Sequence, residues 1–273
     1  MSIIETVERT LKRSRVDVTS LGKSVCGNNI LCAHCGSYDG KQIIITAAIH
    51  ARECYTALVV LNQISEFSAR RRGGAYFVPL VNPDGAAFFE SGYTFGHEFL
   101  RTHAHMNKSW KANADGVDLN CNFDANFGTG AQQNNTAPAS HGYVGQYPLS
   151  APESKALVGL TLSVMPAATV SYHCMGGELY WQFYQDPERR ERDKKFAAAV
   201  AKHIGVKKVD GELSSAGGYK DYCVQKLKIP AFTIELIKRG SHPFKPEDFD
   251  ADTAANADLP TFILDYLYGE NYV

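Results

Sequence analysis

Four short runs of apolar, largely β-branched residues stand out along the chain. They cover residues 42–49, 75–81, 168–172 and 231–236. Because these runs are mostly apolar and do not alternate strictly with polar residues, they predict strands that are buried on both faces of a sheet.

Two further segments space their apolar residues as a helix does, so that these side chains share one face. The first contains Ala57, Leu58, Leu61, Ile64 and Phe67, and the second contains Leu259, Phe262, Ile263, Tyr266 and Leu267. Strands that alternate with helices predict an α/β fold in which helices cover both sides of the sheet. In such folds, ligands bind beyond the C-terminal ends of the strands.

Residues 82–150 have a different character, because Gly, Asn, Ser, Thr and His are prominent and periodicity is weak. Long irregular connections within a compact domain are usually functional loops. We therefore expect this region to wall a substrate cleft, the alternative being that it only decorates the surface.

The composition narrows the function classes. The chain has 273 residues, with 28 Lys and Arg against 29 Asp and Glu, and a net charge of −1. This balance argues against a protein that binds nucleic acid or a membrane surface through its charge. No apolar stretch approaches the roughly 18 residues of a membrane-spanning helix. Neither a repeat nor a linker divides the chain, so we expect one catalytic domain over residues 1–273.

The cysteines and the N-terminus favour a cytoplasmic location. Seven cysteines are an odd number scattered over a large chain, which is not a disulfide framework, and the first residues lack the apolar core of a signal peptide. Cys32-Ala-His-Cys35 has the spacing of half a zinc knuckle, but no second pair lies at a suitable distance. We interpret it as part of a strand.

A metal site is predicted at His50-Ala-Arg-Glu53, directly after the first apolar run and before the first helix. An imidazole and a carboxylate at such a turn can converge on one divalent ion, and a third ligand is expected from the end of another buried strand. His173 ends the run Val170-Ser-Tyr-His173 and fits that requirement. Two imidazoles and one carboxylate form a catalytic zinc set, although manganese or cobalt could use the same ligands.

Glu235 is the candidate general base. It ends a nearly continuous apolar strand, Pro230-Ala-Phe-Thr-Ile-Glu235, where burying a charge is costly. A catalytic carboxylate that takes a proton from water and passes it to a leaving amine explains this position, and a buried ion pair is the structural alternative.

Beyond these residues, the chain resembles the zinc carboxypeptidase (carboxypeptidase A-like) family. Five motifs match in family order over about residues 40 to 245. They are Ala47-Ala-Ile-His-Ala-Arg-Glu53, Pro79-Leu-Val-Asn-Pro-Asp-Gly85, Trp110-Lys-Ala-Asn-Ala-Asp-Gly-Val-Asp-Leu-Asn-Cys-Asn-Phe123, Ser171-Tyr-His173, and Gly217-Gly-Tyr-Lys-Asp-Tyr222 with Ile229-Pro-Ala-Phe-Thr-Ile-Glu235. The resemblance implies a three-layer α/β/α sandwich around a mixed, mostly parallel sheet of eight strands, with one Zn²⁺ at its C-terminal edge.

The resemblance also implies roles for individual residues. The zinc ligands match His50, Glu53 and His173, and the general base matches Glu235. Among substrate-binding residues, Arg52 matches a family arginine that contacts substrate, and Asn120 matches the asparagine that binds the terminal carboxylate. Lys111 stands where the family usually has an arginine that stabilises the oxyanion, so the charge is kept and the bidentate fork is lost.

Two departures concern the substrate carboxylate. Cys121 occupies the place of the arginine that clamps the C-terminal carboxylate in ordinary carboxypeptidases, which argues against a conventional carboxypeptidase activity. Leu213 or Ser214 stands where the family has a tyrosine. Tyr219 and Tyr222 are the candidates to replace it, with packing at a helix start as their alternative role.

A third departure indicates a branch of the family. The run Cys174-Met-Gly-Gly-Glu-Leu-Tyr-Trp-Gln-Phe183 is similar to a signature of the bacterial branch that acts on γ-D-glutamyl–diamino acid bonds of peptidoglycan peptides. This resemblance implies a small murein-derived peptide as substrate, met as a recycled fragment or a precursor. The structural alternative for Tyr180 and Trp181 is a hydrophobic hairpin flank.

Three other functions stay open at this point. Two are enzymatic, namely a conventional metallocarboxypeptidase and an amidohydrolase of the aspartoacylase kind. The third is a peptide-binding module that kept the fold and lost turnover, although an intact set of ligands and base argues against it. The sequence leaves the oligomeric state and the choice between endo and exo cleavage undetermined.

Overall fold

An eight-stranded mixed sheet runs through the molecule, in the order β1-β2-β4-β3-β5-β8-β6-β7. The computed structural model describes residues 1–67, 70–211 and 215–269. The strands are β1 (Asp17–Lys23), β2 (Asn29–Gly36), β3 (Gln42–Ala47), β4 (Gly74–Val78), β5 (Ala168–Cys174), β6 (Glu178–Tyr180), β7 (Lys207–Val209) and β8 (Ala231–Leu236).

The four apolar runs in the sequence form the centre of this sheet. They correspond to the neighbouring strands β4, β3, β5 and β8, which are all parallel to one another. β6 and β7 are also parallel, whereas β1–β2, β2–β4 and β6–β8 pair antiparallel. The prediction of a mixed, mostly parallel sheet is confirmed.

Helices cover both faces of the sheet. Within the described ranges they are α1 (Ile3–Arg13), α2 (Ala57–Glu66), α3 (Pro83–Ser91), α4 (Glu98–Thr102), α5 (Pro152–Val164), α6 (Pro187–Ile204), α7 (Tyr219–Gln225), α8 (Asp250–Ala255) and α9 (Leu259–Tyr268). Four 3₁₀ helices span Ala51–Thr56, Ala104–Ser109, Leu119–Cys121 and Pro246–Phe249. None of the helices in these ranges is both long and apolar enough to cross a membrane.

Two hydrophobic clusters separate the three layers. In β3, Ile43 and Ile45 point into a cluster with residues of α1, α2, α3, α6 and α9, while Ile44 points into a second cluster with residues of α5 and α7. Because successive side chains of a strand alternate between faces, a strand that is apolar throughout supplies both clusters.

The expectation of irregular structure throughout residues 82–150 is wrong at its start, because α3 lies there. Asn82 caps this helix by accepting a hydrogen bond from the Gly85 amide at 3.0 Å, and Pro83 occupies its first position. Seven consecutive residues of α3 are buried, so the helix has no polar stripe and its sequence shows no helical period.

Two buried carboxylates anchor the turn between β1 and β2. Asp84 accepts hydrogen bonds from Ser24 Oγ at 2.6 Å and from the Cys26 amide at 2.7 Å. Glu153, at the start of α5, accepts from the Val25 amide at 3.2 Å and from Asn113 Nδ2 at 3.0 Å. These bonds hold the sheet's edge hairpin against two helices.

The interpretation of Cys32-Ala-His-Cys35 as part of a strand is confirmed. Cys32 and Cys35 lie on β2 and are buried, and all seven cysteines are free.

Candidate active site

A cavity of about 460 Å³ opens where β3, β5 and β8 end. Since these strands are parallel, their C-terminal ends meet at one edge of the sheet. The cavity wall includes His50, Glu53, His173 and Glu235. The topology thus brings together four predicted residues that are separated by up to 185 positions in the sequence.

The turn after β3 presents the first two candidate ligands. His50 precedes the 3₁₀ helix Ala51–Thr56, and its Nδ1 lies 3.0 Å from Glu53 Oε1. Two backbone hydrogen bonds tie this turn to the loop that carries Lys111: the Ala51 amide donates to Lys111 O at 3.1 Å, and the Arg52 amide donates to Trp110 O at 2.9 Å. The turn and that loop therefore hold each other in place.

His173 completes a three-ligand group. Its Nδ1 lies 3.1 Å from Glu53 Oε2 and 3.3 Å from His50 Nδ1. One ligand atom from each of the three residues lies within 4.8 Å of the others, and all three side chains are buried. Two imidazole nitrogens that face each other across a carboxylate present converging lone pairs, which is the donor set of a zinc site with an open position.

His173 and Glu53 also have the charge states that metal ligands need. Burial lowers the pKa of His173, which keeps its imidazole neutral and able to ligate. Burial opposes ionisation of Glu53, but the charge on His50 and hydrogen bonds from both histidines hold the Glu53 pKa well below its ordinary value. The carboxylate is therefore ionised.

Asp118 is a functional residue that the sequence argument did not single out. Its Oδ1 lies 3.3 Å from His50 Nε2, and its Oδ2 accepts a hydrogen bond from the Gly142 amide at 2.9 Å. Burial alone would raise the Asp118 pKa, but His50 and Lys111 lower it below its ordinary value. A carboxylate behind a histidine fixes the tautomer that leaves Nδ1 free to bind metal. The signal was its place in the motif, two residues before Asn120.

Glu235 lies on β8 directly beside His173 in the sheet register. Burial, and after it the negative charge of Glu53, raises the Glu235 pKa to about 8. On the other adjacent strand, β6, its register partner is Glu178. A half-buried carboxyl beside the ligand group, with a high proton affinity, is placed to exchange a proton with a reacting group.

The predicted substrate-binding residues and the predicted catalytic residue Lys111 divide into two groups. Arg52, Lys111, Asn120 and Cys121 all line the cavity. Nε of Arg52 is buried and has no hydrogen-bond partner among the described residues. Asn120 uses its Oδ1 to accept a hydrogen bond from the Tyr219 amide at 3.1 Å, which anchors the start of α7.

Tyr219 belongs to the second group, because the structure does not place its side chain in the cavity. The ring is 1% exposed and packs against Phe123, and the hydroxyl hydrogen-bonds Thr161 Oγ1 at 2.7 Å. The direction in which α7 packs turns this residue into the core, so the expected contact with substrate is not made. Leu213 and Ser214, the other positions considered for the family tyrosine, lie outside the described residues.

Tyr180, which the sequence analysis considered as part of the branch signature or as a hairpin flank, lines the cavity. His242, Lys220 and Asp221 also line it and were not among the predicted site residues. Lys220 and Asp221 stand in the quoted Gly-Gly-Tyr-Lys-Asp run. The presence of two adjacent charged residues in a buried helix start was the signal that could have found them.

Sequence comparison identifies the family. The family model described as zinc carboxypeptidase matches residues 3–259. The chain belongs to the zinc carboxypeptidase family. Its histidine–glutamate–histidine group fits the single zinc of that family, and His50, Glu53 and His173 are the residues that can hold it.

Within this family, the chain is 30% identical over 257 residues to gamma-D-glutamyl-L-diamino acid endopeptidase 1 of Lysinibacillus sphaericus. That alignment covers 85% of this chain and 63% of the relative, so the chain spans less than two thirds of the relative's length.

Solved structures show the same fold. Bovine thrombin-activatable fibrinolysis inhibitor, in complex with tick carboxypeptidase inhibitor, matches with a TM-score of 0.76 at 18% identity, covering 97% of this chain and 98% of that chain. Murein-tripeptide amidase MpaA from Escherichia coli O157 matches with a TM-score of 0.61 at 21% identity, covering 89% of this chain and 91% of that chain. The carboxypeptidase-like α/β architecture is therefore shared.

Proposed function

We propose that this zinc carboxypeptidase family member is a metallopeptidase that hydrolyses the γ-D-glutamyl–diamino acid bond of small murein-derived peptides. The observation that carries the hydrolytic part is the convergence of His50, Glu53 and His173 beside the carboxyl of Glu235. The name of the 30% identical relative supports the choice of bond.

The cavity wall supports a substrate unlike that of a conventional carboxypeptidase. Cys121 lines the cavity at the position where the resemblance predicts a carboxylate-clamping arginine. Burial, the largest influence, raises the pKa of this thiol, so it is a neutral group that cannot pair with a carboxylate. Recognition of the substrate must therefore use other charged groups.

Each residue has a role in the proposed reaction. His50 and His173, through Nδ1, and Glu53, through its carboxylate, would hold zinc, while Asp118 orients His50. When bound, zinc supplies a Lewis acid that polarises a carbonyl and makes water more acidic.

Glu235 accepts the proton of the attacking water on a carboxylate oxygen and then donates it to the departing amine. The Nζ of Lys111 donates hydrogen bonds to the oxyanion that develops on the carbonyl, and its backbone position beside Ala51 keeps it close to the ligand turn. Arg52 and Asn120 contact the substrate from the same wall.

Turnover by the zinc-loaded protein of three substrates tests this function: a C-terminally free L-peptide, an N-acyl amino acid and a γ-D-glutamyl–diaminopimelate peptide. We expect hydrolysis of the third. Glu235→Gln should lower kcat by about 10²- to 10⁴-fold, the usual value of a positioned acid–base group. Glu153→Gln is the matched control, since Glu153 is a glutamate whose pKa is raised by burial, as that of Glu235 is, but which does not line the cavity.

Two results would contradict the proposal in different ways. Hydrolysis of only the L-peptide or the N-acyl amino acid would indicate a conventional carboxypeptidase or an aspartoacylase-like enzyme. Equal, negligible rates for the wild-type protein and Glu235→Gln on all three substrates would indicate a binding module. The cytoplasmic location and the recycled-fragment origin of the substrate stay predictions.

A further inference from the structure

A buried ion pair that the proposed reaction does not use lies in the wall of the active-site cavity. Lys220 and Asp221, adjacent residues at the start of α7, are 5% and 1% exposed, and both line the cavity. Nζ of Lys220 contacts Asp221 Oδ1. It also donates a hydrogen bond to Gln182 O at 3.0 Å and lies 5.3 Å from the centre of the Phe183 ring.

The pair is incompletely satisfied. Asp221 Oδ2 accepts a hydrogen bond from the Gly218 amide at 3.2 Å. Oδ1 faces the ammonium of Lys220, and no donor among the described residues completes a well-aligned hydrogen bond to it. An ammonium group has three N–H donors, and the structure assigns a hydrogen bond to one of them and an ion-pair contact to Asp221. Both charged groups thus retain capacity for a further partner.

The location of the pair connects it to the missing arginine. Gly217, just before α7, packs so closely on Cys121 that a Cβ at Gly217 would lie 2.6 Å from Cys121 O. The Tyr219 amide is bound to Asn120 on the same wall. Lys220 therefore brings a cation to the side of the cavity where Cys121 provides none.

Asp221 stabilises the start of α7 through the oxygen that accepts a hydrogen bond from the Gly218 amide, but that cap does not require an ion pair with Lys220. Replacing a buried ion pair with well-packed apolar residues is often neutral or stabilising, because two charges must be desolvated. The flanking residues Tyr219, Tyr222 and Cys223 are apolar core residues of the same helix, so an apolar surface is available there. A role in recognition accounts for Lys220 and for the second carboxylate oxygen of Asp221, Oδ1.

We infer that Lys220 and Asp221 form a specificity-determining receptor for a diamino acid whose side chain ends in both an amino group and a carboxylate. The inference rests on the proposed function and deepens it, because it specifies the residue on the amine side of the cleaved bond. The carboxylate of that side chain pairs with Lys220, and its ammonium pairs with Asp221. The two ion pairs replace the internal one and leave the wall electrically neutral.

A diamino acid with an amino group alone is the disfavoured substrate. The ammonium of lysine can pair with Asp221, but it then lies beside Lys220 and adds an uncompensated positive charge to a buried wall. A side chain with a carboxylate alone has the opposite defect at Asp221. Only the amino-carboxylate end complements both groups.

Three substrates test the inference. In each, a γ-D-glutamyl group is joined to a different amino acid: meso-diaminopimelate, L-lysine or L-2-aminopimelate. The side chain of 2-aminopimelate ends in a carboxylate and has no distal amine. We expect the wild-type protein to prefer the diaminopimelate substrate by about 10- to 100-fold in kcat/KM, the usual size for one charged hydrogen-bonding group. Lys220→Met should abolish the preference for the diaminopimelate substrate over the lysine substrate, mainly by raising KM for the diaminopimelate substrate. Lys220→Arg should retain it.

Asp221→Asn should abolish the preference for the diaminopimelate substrate over the 2-aminopimelate substrate and should affect the preference over the lysine substrate less. Lys226→Met is the matched control, because it removes an exposed lysine at the other end of α7 that pairs with Asp124 at 3.0 Å. Its substrate preference should equal that of the wild-type protein. If Lys220→Met fails to fold, the Arg and Asn variants still decide the outcome.

Failure of the inference is distinguishable from failure of the proposed function. Equal wild-type rates on the three substrates, or a Lys220→Met variant slowed equally on all, would overturn the inference alone. If no γ-D-glutamyl substrate is cleaved, the proposed function is overturned. Calorimetry with free meso-diaminopimelate then decides the inference: binding that Lys220→Met weakens at least 10-fold supports it, and absence of binding overturns it.

Discussion

Replacing the buried Glu153 with glutamine should remove a pH-dependent loss of stability. Glu153 is 0% exposed, and burial raises its pKa from 4.5 to about 7. Asn113 Nδ2 and the Val25 amide donate to it and oppose this rise only in part, while the nearby charge of Asp84 adds to it.

The sign of the effect follows from proton binding. Between pH 4.5 and about 7, the folded protein keeps the Glu153 proton and the unfolded chain does not, so rising pH favours unfolding. The gap between the two pKa values corresponds to about 3 kcal/mol at about 1.4 kcal/mol per pH unit. Stability from this group is thus fully present in acid and is lost as pH approaches 7.

Urea unfolding of the wild-type protein and Glu153→Gln at pH 5 and pH 8 measures this. Between pH 5 and pH 8, the unfolding free energy of Glu153→Gln should rise by about 2 to 3 kcal/mol relative to that of the wild-type protein. Any pH dependence of metal binding cancels in this difference. Glu8→Gln, a change of an exposed glutamate on α1, should follow the wild-type protein at both pH values. Parallel stabilities of wild type and Glu153→Gln from pH 5 to 8 would refute the reasoning.

Three further predictions concern the active site. Asp118→Asn should weaken zinc binding by about 10- to 100-fold in a chelator competition, because His50 loses its orienting carboxylate. Asp124→Asn, at a half-exposed aspartate that does not line the cavity, should leave zinc binding unchanged. Unchanged affinity in Asp118→Asn would exclude the orienting role. Lys111→Met should lower kcat by about 10²- to 10³-fold in steady-state kinetics, whereas Lys111→Arg should retain most activity. Equal kcat values in the two variants would argue against stabilisation of the oxyanion by Lys111. Removal of metal by a chelator should abolish turnover. It should also lower the unfolding free energy by about 4 kcal/mol, compared with protein in free zinc at about a thousand times its Kd. Activity that survives the chelator would contradict a metal mechanism.

The central strands could be predicted from the sequence, as could the part of β2 that carries Cys32 and Cys35, whereas β1, β6 and β7 could not. β3, β4, β5 and β8 are buried on both faces and therefore appear as apolar runs. β1 is largely exposed, and β6 and β7 have three residues each, so none of them produces a recognisable period. Helix α3 escaped prediction for the opposite reason, because burial on all sides removes the contrast between its faces.

The residues of the active site also divide into those that the sequence could predict and those that it could not. His50, His173 and Glu235 end or follow apolar runs, and parallel strands bring such ends to one edge, so their convergence was predictable. Tyr219 and Lys220 are neighbours at the start of α7, yet one enters the core and the other lines the cavity. That division depends on how the helix packs, which the local sequence does not specify.

The sequence by itself determined the chemistry and the central strands that could deliver it, because buried strands and metal ligands restrict which residue types can occupy a position. The tertiary structure alone decided which charges face one another. Asp118 reaches His50 across a loop, and the Lys220–Asp221 pair meets the wall beside Cys121, because contacts between distant segments set the direction of each side chain. Such contacts leave no periodic trace in a single sequence.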